Sequence, residues 1–392
     1  MTDSEKSVVV LVPCREYDPE LVYSAVSTGL SLLGGLPALI SPEEKILLKP
    51  NLLCNAVAEK AVTTHPVVFD AVARCLQEQG YRNLSYGDSP GSPASTPEKA
   101  AEACGIAAKA RGRGITPADF STVVPTQLPE GEACKHFMLA KAVTECDALV
   151  NLCKMKTHAL ERITGAVKNL YGCICGTNKA AGHVRYPNSY AFADMLSDLH
   201  KAVKPRLHIM DGIVAMEGNG PSSGIPTHMG VLLFSTDPVA LDSVYCALIR
   251  LDSAEVPTCV SAEKAGLGTR DPERITVLTP TGPISMEEAA ATYGKPDFDV
   301  YRGALQRNML SRMALLMPFL QERPKVDTAK CVGCGLCQEA CPVEGKAVHS
   351  GKGQKAKYDY KKCIRCFCCQ EMCPVKAISV YRGPVTRLLT RK

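Results

Sequence analysis

One four-cysteine pattern occurs twice in this 392-residue chain. The first run is Cys331-x2-Cys334-x2-Cys337-x3-Cys341-Pro342, and the second is Cys363-x2-Cys366-x2-Cys369-x3-Cys373-Pro374. Three closely spaced thiolates wrap one corner of an iron–sulfur cubane. The proline then turns the chain away, and where two cubanes share a module the fourth cysteine of each run serves the other cluster. The expected ligands are Cys331, Cys334, Cys337 and Cys373 for one [4Fe–4S] cluster, and Cys363, Cys366, Cys369 and Cys341 for the other. Gly333 and Gly335 relieve crowding where the backbone folds over sulfide. Structural zinc asks instead for paired C-x2-C knuckles at separated positions. Cys368 is left over, and is expected to pack near the second cluster without ligating it.

The spacing resembles that of bacterial two-cluster ferredoxins over roughly residues 325–382, so electron transfer is the first functional expectation. The remaining cysteines agree with it. The chain has 20, nine of them between Cys331 and Cys373, and a large chain that keeps so many thiols reduced points to metal rather than disulfides. This stretch is also basic, with Lys330, Lys346, Lys352, Lys355, Lys357, Lys361, Lys362 and Arg365. Such a rim suits an acidic external electron donor such as ferredoxin or flavodoxin.

Composition excludes other classes. With 46% hydrophobic and 22% charged residues the chain is globular. A net charge of +5, spread along the chain and without any Trp, gives no reason to expect nucleic acid as a partner. Met1–Lys6 is polar and acidic, and the apolar run Val8–Val12 stops at Pro13, so no secretory leader is expected. No apolar stretch reaches the ~18 residues of a membrane span. A cytoplasmic protein with no membrane partner is expected.

The first ~300 residues alternate strand and helix signals. They predict an α/β fold: a large domain with a parallel or mixed sheet flanked by helices, plus a small α+β two-cluster ferredoxin-like domain. The expected divisions are 1–300 for the large domain, 301–323 for a linker helix and 324–392 for the module. Strands are expected at Ser7–Val12, Lys45–Lys49, Asn83–Tyr86, Ala148–Leu152, Arg206–Met210 and Gly230–Phe234. Helices are expected at Pro66–Gln79, Pro97–Lys109, Arg162–Leu170, Tyr190–Val203 and from Asp237-Pro238 to about Arg250. Leu305, Met309, Met313, Leu316 and Leu320 form an apolar stripe at helical spacing in the linker.

Short polar motifs follow the strand signals, where open α/β sheets place ligand sites. They are Lys49-Pro50-Asn51, Thr63-Thr64-His65-Pro66, Gly87-Asp88-Ser89-Pro90-Gly91, Lys154-Met155-Lys156-Thr157-His158, Gly165-Ala166-Val167-Lys168-Asn169-Leu170-Tyr171-Gly172, Asp211-Gly212 and Asp237-Pro238-Val239-Ala240-Leu241-Asp242. In these elements the chain resembles the family called domain of unknown function 362, whose members share KPN, KxKTH, GAxKNLYG and DPVALD elements and often carry a two-cluster module. The resemblance covers roughly residues 8–300 and implies no particular reaction.

Read physically, Lys156, His158 and Lys168 are the catalytic candidates. A buried Lys has a lowered pKa and His titrates near neutrality, so both can hold an anion and deliver a proton. Lys49, Asn51, His65, Asp88, Lys154 and Asn169 are the substrate-binding candidates, with Asp88, Asp211 and Asp242 expected to balance the lysines. Asp237 reads as a helix cap. Cys153, Cys173 and Cys175, with His183 nearby, leave a further metal open. Neither G-x-G-x-x-G nor a Walker A loop is present. A flavin is compatible with the motifs, but none demands one. The expected function is an iron–sulfur oxidoreductase acting on a small anionic substrate. A non-catalytic electron carrier, with the large domain as docking scaffold, is the alternative. A lyase or isomerase with purely structural clusters ranks third.

Overall fold

Residues 6–91, 95–302, 322–381 and 383 are described by a computed structural model. Most of the expected linker helix, with its apolar stripe, lies outside the described residues.

The strands of the large domain are β1 (Ser7–Pro13), β2 (Ile46–Lys49), β3 (Leu84–Tyr86), β4 (Thr116–Pro117), β5 (Val123–Gln127), β6 (His136–Ala140), β7 (Ala148–His158), β8 (Arg162–Ile163), β9 (Leu207–Glu217), β10 (Ile225–Ser235), β11 (Ile275–Thr279) and β12 (Gly282–Ile284). Ten form one sheet in the order β12-β11-β1-β10-β9-β7-β2-β3-β4, with β8 paired to β7, while β5 and β6 make a separate hairpin. The pairs β1/β11, β9/β7, β7/β2, β2/β3 and β3/β4 are parallel, whereas β10 runs against both β1 and β9. The sheet is therefore mixed.

Helices cover both faces. On one lie α1 (Pro19–Leu32), α2 (Pro66–Glu78), α3 (Pro97–Cys104) and α4 (Ile106–Gly112), packed on Val10, Val12, Leu48, Val150 and Leu152. On the other, Val9, Leu11, Met155, Val231 and Leu233 meet α9 (Pro238–Leu248) and α11 (Met286–Tyr293). Between them in sequence are α5 (Lys141–Glu145), α6 (Gly165–Asn169), α7 (Thr177–Arg185), α8 (Ser189–Val203) and, after α9, α10 (Pro257–Lys264). Successive residues of β1 thus enter opposite cores, which is why the strand reads as an unbroken apolar run.

Three boundaries differ from the sequence expectation. Pro97–Lys109 is two helices, because Gly105 takes φ +86° and ends the first. The expected helix at Arg162 begins at Gly165, the residues before it being the short strand β8. β7 continues from Leu152 to His158, and all 11 of its residues are buried. Its polar tail extends the strand because its lysines find partners inside the protein, as described below.

The C-terminal module pairs β13 (Arg323–Val326) with β16 (Ile378–Tyr381) and β14 (Val348–Gly351) with β15 (Gln354–Tyr358). Two short helices, Leu336–Glu339 and Cys368–Glu371, occupy equivalent places in the two cysteine runs. The second helix plugs into the large domain. Gln370 Nε2 donates to Asn219 Oδ1 (2.9 Å), Asn219 O (3.0 Å) and Gly220 O (3.1 Å), all in the β9–β10 turn. Asn219 Nδ2 returns a bond to Ile378 O at 3.1 Å, Lys376 Nζ reaches Gly224 O at 3.0 Å, and Ser222 Oγ donates to Glu371 O. No described helix is long and apolar enough to cross a membrane.

Candidate functional site

Because β1, β2, β3, β7 and β9 run the same way, their C-terminal ends share one edge of the sheet, where the polar motifs gather. Lys49 ends β2 fully buried, and its ammonium lies 2.8 Å from Asp88 in the loop after β3. Asp88 also accepts from Leu52 N at 2.7 Å. The peptide of Gly172 lies against this pair: a Cβ there would stand 1.7 Å from Asp88 Oδ1 and 2.8 Å from Lys49 Nζ, so only glycine fits.

On β7, Lys154 is paired as tightly. Its ammonium lies 2.7 Å from Asp211 Oδ2 and donates to Tyr17 Oη at 2.8 Å. Asp211 also accepts from the His65 amide, and the His65 ring stacks on Tyr17 at 3.5 Å. Burial lowers the His65 pKa to about 4 and that of Lys154 too, the latter opposed by Asp211. Two residues on, Lys156 Nζ donates to Val62 O (2.6 Å) and Asn51 Oδ1 (2.9 Å). Asn51 Nδ2 donates to Asn169 Oδ1, and Asn169 Nδ2 to Asn151 Oδ1, both at 2.7 Å. This amide chain ties β2, β7 and α6 together. Among the described residues no carboxylate pairs with Lys156, and burial, helped by the charge of Lys168, brings its pKa down to about 7.

His158 ends β7 at the module. Its Nδ1 accepts from the amides of Leu160 and Glu161, both at 3.1 Å, so the ring carries its proton on Nε2. That atom lies 2.9 Å from Oε1 of Glu371, in the short helix that carries Cys369. Burial and nearby Lys168 keep His158 neutral, with a pKa of about 4. Burial would raise the Glu371 pKa, but His158, Lys168 and His183 overcome it and hold it at about 2. Lys168, half-buried on α6, makes no ion pair or hydrogen bond among the described residues and sits beside the rings of Tyr171 (5.9 Å) and Phe192 (6.0 Å). Lys156, His158 and Lys168 therefore share one neighbourhood, and it faces the module.

Glu161, which no motif flagged, and His183, noted in the sequence only as a neighbour of the cysteines of a candidate further metal site, also lie here. Glu161 is fully buried, neither carboxyl oxygen has a hydrogen-bond partner among the described residues, and burial raises its pKa to about 8 against the pull of Lys168. His183 stacks on Phe192 at 4.5 Å, and burial lowers its pKa to about 4. Glu371 was missed as well, although it is an acid between the last two cysteines of a basic stretch. Asp242 accepts from the amides of Ala166 (2.6 Å) and Val167 (3.2 Å) and so holds α6, instead of balancing a lysine.

The cysteine runs fit cubanes. Cys331, Cys337, Cys341, Cys363, Cys369 and Cys373 pack into one small core. Backbone amides point at sulfur, Ala356 to Cys331 (3.4 Å), Ala347 to Cys341 (3.3 Å) and Ala377 to Cys373 (3.2 Å), as thiolate ligands require. Among the described residues no three His, Cys, Asp or Glu side chains converge on a single ion. A cubane does not ask them to, since each iron takes one thiolate. Cys153 and Cys175 instead donate to carbonyls, Ile209 O at 3.6 Å and Phe120 O at 2.9 Å, while burial raises Cys173 to about 12.

Two concavities elsewhere on the surface, about 660 Å³ beside Arg74 and Arg113 and about 480 Å³ beside Asp252 and Arg270, lie away from this chemistry.

Comparison with known proteins agrees with the motifs. Residues 323–374 match a 4Fe-4S dicluster domain. The Thylakoid-associated protein sll1697 of Synechocystis sp. is 35% identical over 267 residues, 66% of this chain and 79% of the relative. The lactate racemase apoprotein from Thermoanaerobacterium thermosaccharolyticum aligns at 12% identity and TM-score 0.39 over 61% of this chain, which spans 56% of that structure's chain. Residues 46–247, just over half of the sequence, match the family described as Domain of unknown function (DUF362), and the chain belongs to that family.

Proposed function

We propose that this protein is an iron–sulfur oxidoreductase that passes electrons from an external carrier, such as ferredoxin or flavodoxin, to a small anionic substrate in the α/β domain. Two [4Fe–4S] clusters, ligated in crossed sets by the eight cysteines of the two runs, supply one-electron chemistry when bound. The observation that carries the reading is the 2.9 Å approach of His158 Nε2 to Glu371, which sets Lys156, His158 and Lys168 against the helix bearing Cys369. Lys168, unpaired, meets the anion. Lys156, with a pKa of about 7, gives up a proton readily. Asn51 and Asn169 orient Lys156, and the pairs Lys49–Asp88 and Lys154–Asp211, with His65, hold the loops around it. The reduced thiols suit the cytoplasm.

The experiment has two parts. Anaerobically reconstituted protein is expected to hold about eight iron and about eight labile sulfide. Cys337→Ser and Cys373→Ser are expected to deplete the same electron paramagnetic resonance signal, because their ligands cross. The reduced holoprotein is then mixed with small anionic oxidants, namely 2-oxo acids, enoates, nitrite and sulfite. An accepted oxidant should reoxidise Lys168→Ala at least ~10-fold more slowly than the parent, with iron content unchanged. If no anion distinguishes the two proteins, the reductase reading fails.

One observation favours the carrier alternative. Lys49, Lys154 and Lys156 are no more than 1% exposed, and each ammonium is already satisfied inside the protein. A closed polar core would serve a docking scaffold as well.

A further inference from the structure

The two cysteine runs are near repeats, yet the fold treats them differently. Cys366, the second cysteine of its run, is 8% exposed, and the helix that follows it is plugged into the large domain. Its counterpart Cys334 is the one exposed cysteine among all 20. Beside it Val332 is 57% exposed, and only Ile225 among the large apolar side chains described is more open. The hairpin turn at Gly351–Gln354 packs on this loop: Gly353 N donates to Gly333 O at 3.3 Å, and a Cβ on Gly333 would strike Gly353. That contact brings exposed Lys352 to the rim. Exposed Lys330 and Lys355 flank the same loop, Lys355 donating to Thr328 O and Lys330 lying 3.5 Å from Asp327.

We propose that this face, with Val332 and Cys334 at its centre and Lys330, Lys352 and Lys355 around them, is where a small acidic electron-carrier protein docks. The inference rests on the cluster assignment above and names the entry side of the same electron path. An apolar centre within a rim where three lysines outnumber Asp327 has the anatomy of a transient interface. The charge selects an acidic partner and repels a second copy of this chain. An exposed ligand puts cluster one at the contact, whereas cluster two faces the substrate side. The step is a one-electron exchange. The reduced carrier is oxidised by one electron, cluster one is reduced by one, and no bond or proton changes hands.

The test uses anaerobic holoprotein and a small acidic two-cluster ferredoxin as probe. Binding is measured by calorimetry and cluster reduction by stopped flow, with no substrate present. The parent should bind at low ionic strength and weaken steeply with salt. Lys330→Glu/Lys352→Glu/Lys355→Glu should bind at least ~10-fold more weakly with unchanged iron content, and Lys352→Glu alone should show part of the loss if the triple variant loses its clusters. Lys361→Glu/Lys362→Glu, just before the second run, should stay within about two-fold. Equal losses in both variants, salt-independent binding, or a face that binds anionic phosphatidylglycerol vesicles and not the ferredoxin would each overturn the proposal. Because nothing is turned over, failure here leaves the substrate reading standing, and the oxidant panel tests that reading separately.

Discussion

Lys49, Lys154 and Lys156 are closed inside the protein by a carboxylate or by carbonyls, whereas Lys168 is left open. Removing one partner of a buried pair strands the other, at a cost of about 3–5 kcal/mol. Asp88→Ala should therefore cost several kcal/mol in chemical denaturation, and Gly172→Ala should do comparable damage by driving the two charges apart. Lys168→Ala should cost only about 0.5–1 kcal/mol, because no hydrogen bond is lost. Equal losses for Asp88→Ala and Lys168→Ala would show that Lys168 also holds the fold. The polar motifs announced these residues. The pairing was not legible, because Lys154 reaches Asp211 and Tyr17 across three separate strands or loops, and nothing in KMKTH says which lysine will be neutralised. Glu161 had no motif at all, and burial alone makes it unusual; His183 was flagged for a metal, and instead stacks on Phe192.

Elements were easier to read where local chemistry marks their ends. Asp237 caps α9, Oδ1 accepting from Val239 N and Ala240 N at 2.8 Å, as Asp-Pro before an apolar run predicts. Oδ2 of the same carboxylate accepts from Ser7 Oγ (2.6 Å) and Thr269 N (3.1 Å), tying the helix to β1 and to the loop before β11. Asp237→Ala should consequently exceed the usual cap loss of about 1 kcal/mol. A value near 1 kcal/mol in urea titration would mean the two tertiary bonds contribute nothing. The tail of β7 was illegible for the opposite reason: alternating lysines suggest a solvated edge, and only the tertiary partners make it a buried strand. The two cysteine runs hide a similar asymmetry. Gly333 and Gly335 adopt positive φ in the first, while Arg365 and Phe367 do so in the second, where Phe367 is buried.

At the scale of the molecule, burial gives the chain a proton balance. His65, His158, His183 and His200 are all lowered to about 4 and His208 lies well below its usual value. Below the unfolded pKa near 6.5 the unfolded chain binds more protons than the native one, so stability falls as pH falls towards about 4. Glu161, raised to about 8, and Asp242, raised to about 7, act the other way, releasing protons on unfolding between about pH 4 and those values. Near pH 5 the histidines prevail. Calorimetry in buffers of different ionisation heat should find roughly three protons taken up per chain on unfolding. Proton release at that pH would contradict the buried, neutral histidines. The α/β class and the two-cluster module were plain from the sequence. How the module sits was not, because Asn219, Gln370 and Glu371 carry no signal beyond ordinary polarity.

The helix Cys368–Glu371 bears Cys369, a proposed cluster ligand, on one side and grips the β9–β10 turn on the other. Under the proposed ligation, cluster loading and the docking of the module are expected to be coupled. A chain without iron should hold this helix, and its grip on Asn219, less firmly. Amide hydrogen exchange should report the difference, with the Gln370 and Glu371 amides, bonded to Phe367 O, protected in the loaded protein and opened in the apoprotein, while β7 and β9 stay closed in both. The expected consequence is that a cell short of iron would accumulate a folded large domain with its cysteine module unlatched.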